Sequence, residues 1–325
     1  MRIVFHGENA ASFSQGFASL VDVGARIDIL PDLLASEAER QIYAQAEVII
    51  STNFDAGLPV PARLKLFHAP AAGTDAVDLK SLPVSATVCN CFGHETAIAE
   101  YVMAALLARH VPLTEADALL RRGDWAFWAG APERAHDEMA GKSIGLLGFG
   151  HISKAIAARA KAFEMEIVVA NRSAVAPSEL VDRAFTLDRL QDFWGAADYI
   201  VVSLPLTEST KGAVGAAAFN AMRAQAVVIN VGRGPVIDEA ALYGALKSRR
   251  IGGAVIDTWY QYPSPGQPNP QPSALAFSQL PNVLMTPHMS GWTSGTIRRR
   301  QNTMAENIHR RMRGEPCMNV VRQGK

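Results

Sequence analysis

Short apolar runs alternate along the chain with longer segments of mixed polarity. The runs carry few polar residues and are bounded by polar or glycine-containing stretches, which is typical of buried parallel strands separated by helices. This alternation predicts an α/β fold with doubly wound parallel sheets. The predicted strands are Ile3–Phe5, Ile27–Ile29, Val48–Ile50, Leu66–His68, Thr87–Cys89, Ser143–Leu147, Ile167–Ala170, Tyr199–Ser203, Val227–Asn230, Ala254–Ile256 and Val283–Met285.

A glycine turn follows the predicted strand Ser143–Leu147 and opens an alanine-rich helical pattern. Gly148 permits a tight turn, and Gly150 lets the backbone approach a pyrophosphate. The negative charge of that group would meet the free N–H groups of His151 and Ile152 at the positive end of the helix. A second strand follows at the length of one dinucleotide-binding unit, so the segment predicts a dinucleotide site.

The residues after that second strand indicate which dinucleotide would bind. An aspartate there would accept hydrogen bonds from the ribose 2'-hydroxyl and repel a 2'-phosphate, but the chain has Asn171-Arg172-Ser173. Arg172 offers a planar cationic fork and Ser173 a hydroxyl to a phosphate, and Asn171 does not repel one. The segment predicts a dehydrogenase that prefers NADP, with NAD as the alternative.

The pattern also predicts two domains. A long helix from Thr96 to Arg109 is interpreted as crossing from one domain into the other, and a last helix, Ser294–Met312, as returning to the first. A Rossmann cofactor domain over residues 105–286 would therefore be inserted in a flavodoxin-like substrate domain, which is formed by residues 1–104 and 287–325.

Composition limits the location and the partners. The 325 residues are 49% hydrophobic, and 31 Lys and Arg balance 31 Asp and Glu, so no global field favours nucleic acid or an anionic membrane. No apolar run approaches membrane-spanning length, and Met1–Phe5 is interpreted as a strand rather than a signal peptide. Cys89 and Cys91 have neither zinc-knuckle nor CxxC spacing, and with Cys317 they form an odd set. We therefore expect reduced thiols, no metal and a cytoplasmic protein.

Three polar residues lie at the ends of successive predicted strands. Arg233 lies in the segment Val231–Asp238 directly after one strand, Asp257 ends the next, and His288 follows the one after that. Open α/β sheets bind ligands at the carboxyl edge of their strands. These three side chains are therefore candidates for substrate binding and catalysis.

With these residues in place, the sequence resembles the D-isomer-specific 2-hydroxyacid dehydrogenase family. The resemblance implies an oxidoreductase that transfers a hydride between NAD(P)H and a 2-oxo acid or D-2-hydroxy acid, as glyoxylate and hydroxypyruvate reductases do. Several motifs in the same order are more specific than any one of them. They are Ala71-Ala72-Gly73-Thr74-Asp75, Ile98-Ala99-Glu100, Ala140-Gly141-Lys142, the glycine turn, Pro205-Leu206-Thr207-Glu208-Ser209-Thr210, the Arg233 segment and Thr286-Pro287-His288.

The resemblance also implies roles for individual residues. Arg233 would bind the carboxylate and carbonyl of a 2-oxo acid, and His288 would donate a proton to the carbonyl oxygen. Backbone N–H groups around Ala72 and Gly73 would hold the substrate carboxylate, and Asp257 would hold the nicotinamide carboxamide. The other cofactor contacts implied by the motifs are Pro205, Thr210 and Val231.

One position departs from the family pattern. The family has a glutamate shortly after the aspartate, and its carboxylate hydrogen-bonds the catalytic histidine. Here the matching residue is Tyr262, and no Glu or Asp occurs between Asp257 and His288. The loop is also longer, which leaves Gln261 as an alternative, as in the formate dehydrogenases of the superfamily. The pair His94–Glu95 is a further source of a partner, from the other domain.

Two other functions stay open on the sequence. A formate-dehydrogenase-like hydride abstraction needs no proton transfer, so it tolerates a weakened partner for the histidine. A dinucleotide-sensing regulator on the same fold would have no turnover, and the retention of Arg233 and His288 argues against it.

The expected partners are a small 2-oxo or 2-hydroxy acid and a second copy of the chain, without nucleic acid or membrane. The family resemblance implies the homodimer. It would form through the segment from Leu106 to Met139, which carries Trp125, Phe127 and Trp128.

Overall fold

The structure is a computed structural model and describes residues 1–22, 24–130, 132–264 and 266–325. Its strands include all those predicted from the sequence, each within one residue of its predicted bounds. They are β1 (Arg2–His6), β2 (Arg26–Leu30), β3 (Val48–Ile50), β4 (Leu66–His68), β5 (Thr87–Cys89), β6 (Ser143–Leu147), β7 (Glu166–Ala170), β8 (Arg183–Phe185), β9 (Tyr199–Val202), β10 (Val227–Asn230), β11 (Gly253–Ile256), β12 (Val283–Met285) and β13 (Val320–Arg322). The α-helices are α1 (Glu8–Ala11), α2 (Glu37–Ala44), α3 (Glu95–His110), α4 (Leu113–Leu120), α5 (His151–Ala162), α6 (Leu190–Ala196), α7 (Ala216–Ala221), α8 (Glu239–Lys247) and α9 (Ser294–Met312).

Contacts between residues divide the chain into two units. The first unit is formed by Met1–Gly93 and Thr293–Lys325, and the second by His94–Trp292. The boundaries expected from the sequence, at 104/105 and 286/287, lie elsewhere, because the whole of α3 belongs to the second unit. There α3 packs with α5 in one core, and its role as the helix that crosses between domains stays a prediction. The substrate and cofactor roles of the two units stay predictions.

The first unit contains a sheet with the strand order β13-β5-β4-β3-β1-β2. Strands β1 to β5 are parallel and follow the flavodoxin-like order. The edge strand β13 is antiparallel to β5, with Val320 opposite Cys89. It was not predicted, because it is only three residues long and Val320 and Val321 are both exposed, so no buried run marks it.

The second unit contains a parallel sheet with the order β12-β11-β10-β9-β6-β7-β8. From β8 to β11 this is the Rossmann order, which β12 extends by one strand. The direction of winding reverses between β6 and β9, and ligands of such sheets bind outside the carboxyl ends of the strands at this switch point. The prediction of an α/β fold with two parallel sheets is confirmed, apart from the antiparallel β13.

Both faces of the second sheet are buried at the inner strands β6, β7, β9, β10 and β11, which explains why these strands appear as continuous apolar runs. Val202 and Val228 belong to the core that also contains residues of α6, α7 and α8. Val201 and Ile229 point to the opposite core, which includes residues of α3 and α5. The strand ends are therefore held side by side by packing on two sides, and the loops that follow them start from fixed positions.

Within the residue ranges given above, no helix combines the length and the apolar character needed to cross a membrane. The same part of the chain contains no group of three or more His, Cys, Asp or Glu that could hold a metal ion.

His68 ends β4 in the first unit and is fully buried. The side-chain amide of Asn307 donates a hydrogen bond to its Nε2 atom at 2.9 Å, and Nδ1 donates to the carbonyl of Ala69 at 3.2 Å. A neutral imidazole satisfies both contacts. Burial lowers the pKa of His68 from 6.5 to about 4.

The free energy of unfolding should therefore decrease as the pH falls from 6.5 towards 4. Below 6.5 the unfolded chain takes up a proton at this imidazole, whereas folded His68 stays neutral until the pH is near its lowered pKa. The loss is roughly 3 kcal/mol. Urea unfolding across this pH range measures it as the difference between wild type and His68→Gln, which has no titrating group at the position. Parallel profiles for the two proteins would contradict the prediction.

Candidate active site

The predicted site residues of the second unit lie on loops that follow neighbouring strands. The glycine turn follows β6, Arg233 lies after β10, Asp257 after β11 and His288 after β12. These strands are parallel, and they are neighbours in the sheet except that β9 lies between β6 and β10. All four loops therefore lie at the carboxyl edge of the sheet. The sequence analysis predicted this arrangement.

Tyr262 is a hydrogen-bond partner of His288. Its hydroxyl oxygen lies 3.0 Å from the Nδ1 atom of the imidazole, and the ring planes are tilted by 54° at a centroid distance of 5.6 Å. The same oxygen accepts the backbone N–H of Trp259 at 3.0 Å. The hydroxyl can then donate its proton to a neutral imidazole or accept one from an imidazolium. Of the two partners left open by the sequence, Tyr262 and Gln261, the structure brings Tyr262 to the histidine.

The Tyr262–His288 pair is uncharged near neutral pH. Burial is the main cause that lowers the pKa of His288 below 6.5, although part of the ring is exposed. The charge of Asp257 opposes this shift and that of Arg233 reinforces it. Burial also raises the pKa of Tyr262 above 10, so its hydroxyl stays protonated. A glutamate in the place of Tyr262 would instead favour the imidazolium.

Asp257 holds the backbone on both sides of His288. Its fully buried carboxylate accepts the N–H of Met289 at 2.8 Å, the N–H of Ser290 at 3.0 Å and the hydroxyl of Thr286 at 2.6 Å. His288 itself has a left-handed backbone with φ +59°, which costs about 1–3 kcal/mol and needs such support. These contacts give Asp257 a role in the loop, and its expected contact with the nicotinamide stays a prediction.

Two glycines hold Arg233 between neighbouring loops. A Cβ atom on Gly232 would lie 2.7 Å from the carbonyl oxygen of Leu204, and one on Gly234 would lie 2.1 Å from the carbonyl oxygen of Trp259. Neither distance leaves room for a side chain, so the backbone can approach this closely only through glycine. The charge of Arg233 also affects the pKa of the tyrosine and histidine described above, which places the guanidinium in the same site.

The glycine turn leaves space at the start of α5. Gly148 has φ +87°, and a Cβ atom there would lie 2.8 Å from the side chain of Leu204. At Gly150 nothing lies within 4 Å of the place where a Cβ atom would stand. The 12-residue helix then begins at His151 without a side-chain cap, and Ile152 packs against the core. Open space at an uncapped helix start fits the pyrophosphate of a dinucleotide.

The segment after β7 presents an arginine to solvent. Arg172 and Ser173 are exposed, and in the part of the chain that the structure describes the Arg172 side chain has no hydrogen bond or ion pair. Asn171 is placed differently: its Oδ1 atom accepts the N–H of Phe149 at 3.3 Å and its amide donates to the carbonyl of Ser173 at 2.9 Å. It therefore ties the strand end to the glycine turn, while Arg172 is available for a 2'-phosphate.

The other predicted cofactor residues form the frame of their loops. The hydroxyl of Thr210 donates to the carbonyl of Pro205 at 2.6 Å and accepts the N–H of Thr207 at 2.8 Å, which closes the loop after β9. Val231 is buried at the end of β10 and donates its N–H to the carbonyl of Val202. Their contacts with a cofactor stay predictions.

The predicted substrate residues Ala72 and Gly73 lie in the first unit, in the loop after β4. Both are half-buried. The side-chain amide of Asn90 donates to the carbonyl of Ala72 at 2.7 Å, and the N–H of Cys91 donates to the carbonyl of Ala71 at 3.0 Å. The loop is therefore held from the end of β5, and its contact with a substrate stays a prediction.

His94 and Glu95 belong to the second unit, so they are not a group from the other domain as expected. They begin α3, and the Nδ1 atom of His94 lies 3.8 Å from a carboxylate oxygen of Glu95. A Cβ atom on Gly291 would lie 3.4 Å from the Cβ of His94. The start of α3 is therefore packed against the segment that follows His288.

Two supporting residues were missed by the sequence analysis. The indole N–H of Trp259 donates to the carbonyl of Thr286 at 2.8 Å. The hydroxyl of Tyr101 lies 2.7 Å from that of Thr286, whose own proton is directed to Asp257, so Tyr101 is the donor. Their only sequence signal is an aromatic residue close to a motif, which gives no information on hydrogen bonds.

Sequence similarity relates the chain to a known family. A model of the family described as D-isomer specific 2-hydroxyacid dehydrogenase, NAD binding domain, matches residues 103–290. The D-3-phosphoglycerate dehydrogenase of Methanocaldococcus jannaschii is 30% identical over 263 residues, which cover 80% of this chain and 48% of the relative. The glyoxylate reductase of Korarchaeum cryptofilum is 32% identical over 266 residues, which cover 80% of this chain and 77% of the relative. The chain thus spans about half the length of the first of these relatives.

Among solved structures, the fold is similar to that of an NADPH-dependent glyoxylate/hydroxypyruvate reductase from Sinorhizobium meliloti in complex with NADP and sulfate. The TM-score is 0.77 at 23% identity, with 98% of this chain and 97% of that chain covered. The two sheets and the glycine turn define an NAD(P)-binding α/β protein. The chain belongs to the D-isomer specific 2-hydroxyacid dehydrogenase family.

Proposed function

We propose that the protein is an NADPH-preferring reductase that converts 2-oxo acids to D-2-hydroxy acids. The observation that carries the proposal is the hydrogen-bonded Tyr262–His288 pair, placed with Arg233 at the carboxyl edge of the dinucleotide-binding sheet. The similarity to glyoxylate reductases supports the same reaction class. Substrates of this class include glyoxylate, hydroxypyruvate and bulkier 2-oxo acids.

The residues of the second unit have separate tasks in this reaction. Arg233 binds the substrate carboxylate and carbonyl through its planar fork of N–H donors. His288 donates a proton from Nε2 to the carbonyl oxygen, while Nδ1 remains hydrogen-bonded to Tyr262. Bound NADPH would supply the hydride. Asp257 keeps the histidine loop in place through its three hydrogen bonds.

The preference for NADPH is supported by Arg172. It is exposed at the end of β7 and makes no ion pair among the described residues, so it can bind a 2'-phosphate without breaking a contact within the protein. An NAD site would have an aspartate at the end of this strand, and this chain has the neutral Asn171 there. Its side chain is hydrogen-bonded to the glycine turn.

Oxidation of NADPH in the presence of a panel of 2-oxo acids tests the proposed function. We expect turnover with at least one of them and a lower rate with NADH. Formate-dependent reduction of NADP without turnover of any 2-oxo acid would instead support the formate alternative. Dinucleotide binding without either activity would support the sensing regulator.

The homodimer and a cytoplasmic location are part of the same proposal. Support for the dimer comes from exposed apolar side chains on α4 and after it, including Leu113, Leu120, Trp125 and Trp128. They lie in the segment from Leu106 to Met139, of which Ala131 is outside the described residues. Light scattering of the purified protein tests the dimer.

Replacement of Tyr262 by glutamate should move the pH dependence of reduction. Reduction needs protonated His288, whose pKa lies below 6.5, so the rate should fall as the pH rises through that pKa. A carboxylate at position 262 favours the imidazolium, and the falling limb should move to higher pH. The pH-rate profiles of wild type and Tyr262→Glu measure the shift.

Tyr262→Phe is the matched control, because it removes the hydroxyl and adds no charge. The falling limb of the Tyr262→Phe pH-rate profile should therefore lack the upward shift that a carboxylate causes. The limb of Tyr262→Glu should have that shift. If folded Tyr262→Glu has the wild-type limb, another group determines the protonation of His288.

A further inference from the structure

We propose that Trp259 is a positioning residue that sets the geometry of Tyr262, His288 and Arg233 together. The inference rests on the proposed reduction of 2-oxo acids, and it concerns a residue that contacts the supports of the reacting groups rather than the substrate. Three independent contacts of Trp259 carry it, one towards each of the three functional side chains.

The first contact determines the direction of the tyrosine hydroxyl. The backbone N–H of Trp259 donates to the oxygen of Tyr262 at 3.0 Å, and the Nδ1 atom of His288 lies 3.0 Å from the same oxygen. A hydroxyl has one proton and two lone pairs. Because Trp259 takes one lone pair, the other is left to accept the Nδ1–H of the imidazolium that reduction requires, and this contact holds the ring with Nε2 as the donating nitrogen of our proposal.

The second contact holds the loop that carries the histidine. The indole N–H of Trp259 donates to the carbonyl of Thr286 at 2.8 Å, two residues before His288. Asp257 binds the backbone on the other side, at Met289 and Ser290. The left-handed backbone of the histidine is therefore held from both directions, and the indole is the support on its N-terminal side.

The third contact lies under the substrate-binding arginine. A Cβ atom on Gly234 would lie 2.1 Å from the carbonyl oxygen of Trp259 and 2.5 Å from its carbonyl carbon. The backbone after Arg233 thus rests directly on the backbone of Trp259. A displacement of Trp259 would be transmitted to Arg233 as well as to the Tyr262–His288 pair.

Packing makes Trp259 a rigid support for these contacts. The side chain is only 4% exposed and packs edge-on against Phe277, with a centroid distance of 6.1 Å and an interplanar angle of 73°. Phe277 is itself buried in the core that also contains residues of β11. Trp259 therefore connects the three loops to the core of the second unit, one of them through its indole N–H and two through its backbone.

The test removes the indole N–H and keeps the ring. The first variant is Trp259→Phe, and the second carries 3-benzothienyl-alanine at position 259, where sulfur replaces the N–H in a ring of almost the same shape. The matched control is Trp194→Phe, which changes another tryptophan of the second unit that is also 4% exposed. For each protein we would measure kcat and KM for a 2-oxo acid, the pH-rate profile, the Kd of NADPH and the unfolding midpoint.

We expect kcat of both position-259 variants to fall about tenfold or more. Loss of one hydrogen bond lowers an equilibrium constant by up to about tenfold, and displacement of a reacting group by about 1 Å lowers the rate on the order of 100-fold. The falling limb should move to higher pH, because a looser imidazole is better hydrated and its pKa returns towards 6.5. The Kd of NADPH should stay within about twofold. Trp194→Phe should lower the unfolding midpoint without either kinetic change.

Wild-type kcat and an unmoved limb in the benzothienyl variant would overturn the proposal, even if Trp259→Phe does not fold. The same kinetic losses in Trp194→Phe would also overturn it, because they would show a general effect of core packing. Failure of the proposed reduction would be seen separately, as absence of turnover in the wild-type protein.

Discussion

Replacement of His288 by alanine is expected to lower kcat for 2-oxo acid reduction by roughly 10²- to 10⁴-fold, the usual contribution of a general acid. The loss should be in turnover rather than in substrate affinity, because Arg233 keeps its position between Gly232 and Gly234. Steady-state kinetics with a saturating 2-oxo acid and NADPH measures the change.

The matched control is His136→Ala, which removes an exposed histidine of the same unit. It should have the wild-type kcat. Fluorescence titration should also show that His288→Ala binds NADPH as the wild type does, since the glycine turn is on a separate loop. A His288→Ala protein that reduces the substrate as fast as wild type would show that another group donates the proton.

Arg172→Ala is expected to weaken NADPH binding by about ten- to more than a hundred-fold. A charge-assisted contact of a guanidinium with a phosphate contributes roughly 1.5–3 kcal/mol, and every 1.4 kcal/mol changes a Kd tenfold. NADH has no 2'-phosphate, so its Kd should change little. Because Arg172 is exposed, the difference between the two cofactors should decrease at high salt.

Arg121→Ala serves as the control for Arg172, since it removes an exposed arginine elsewhere in the second unit that pairs with Asp117. It should leave both Kd values unchanged. Equal affinities of the wild-type protein for NADPH and NADH would be evidence against the proposed preference.

Most of the fold could be predicted because burial leaves a clear mark on the sequence. The inner strands of the second sheet are covered on both faces, so runs such as Val227–Asn230 contain almost no polar residue. The edge strand β13 has no such mark. The limit of the second unit at His94, rather than at the expected boundary 104/105, could not be read from the sequence, since an apolar helical pattern shows that α3 packs but not which core it packs against.

The sequence predicted which strands carry the site residues, but not which side chains contact each other. The order of strands and motifs placed Arg233, Asp257 and His288 at one edge of the sheet. The choice between Gln261 and Tyr262 depends on the path of the loop, and only the 3.0 Å contact with His288 resolves it. The position of Trp259 under Gly234 leaves no trace in the local sequence, because the two residues are brought together by separate strands.

The division of the chain into units has a consequence for synthesis. The core of the first unit combines residues of β1, such as Phe5, with Met304 and Ile308 of α9. Residues 1–93 therefore emerge from the ribosome long before the helix that completes their core, whereas the second unit is one continuous segment. We expect the second unit to fold first on the ribosome, while the first 93 residues remain incomplete and dependent on chaperones until α9 has been made.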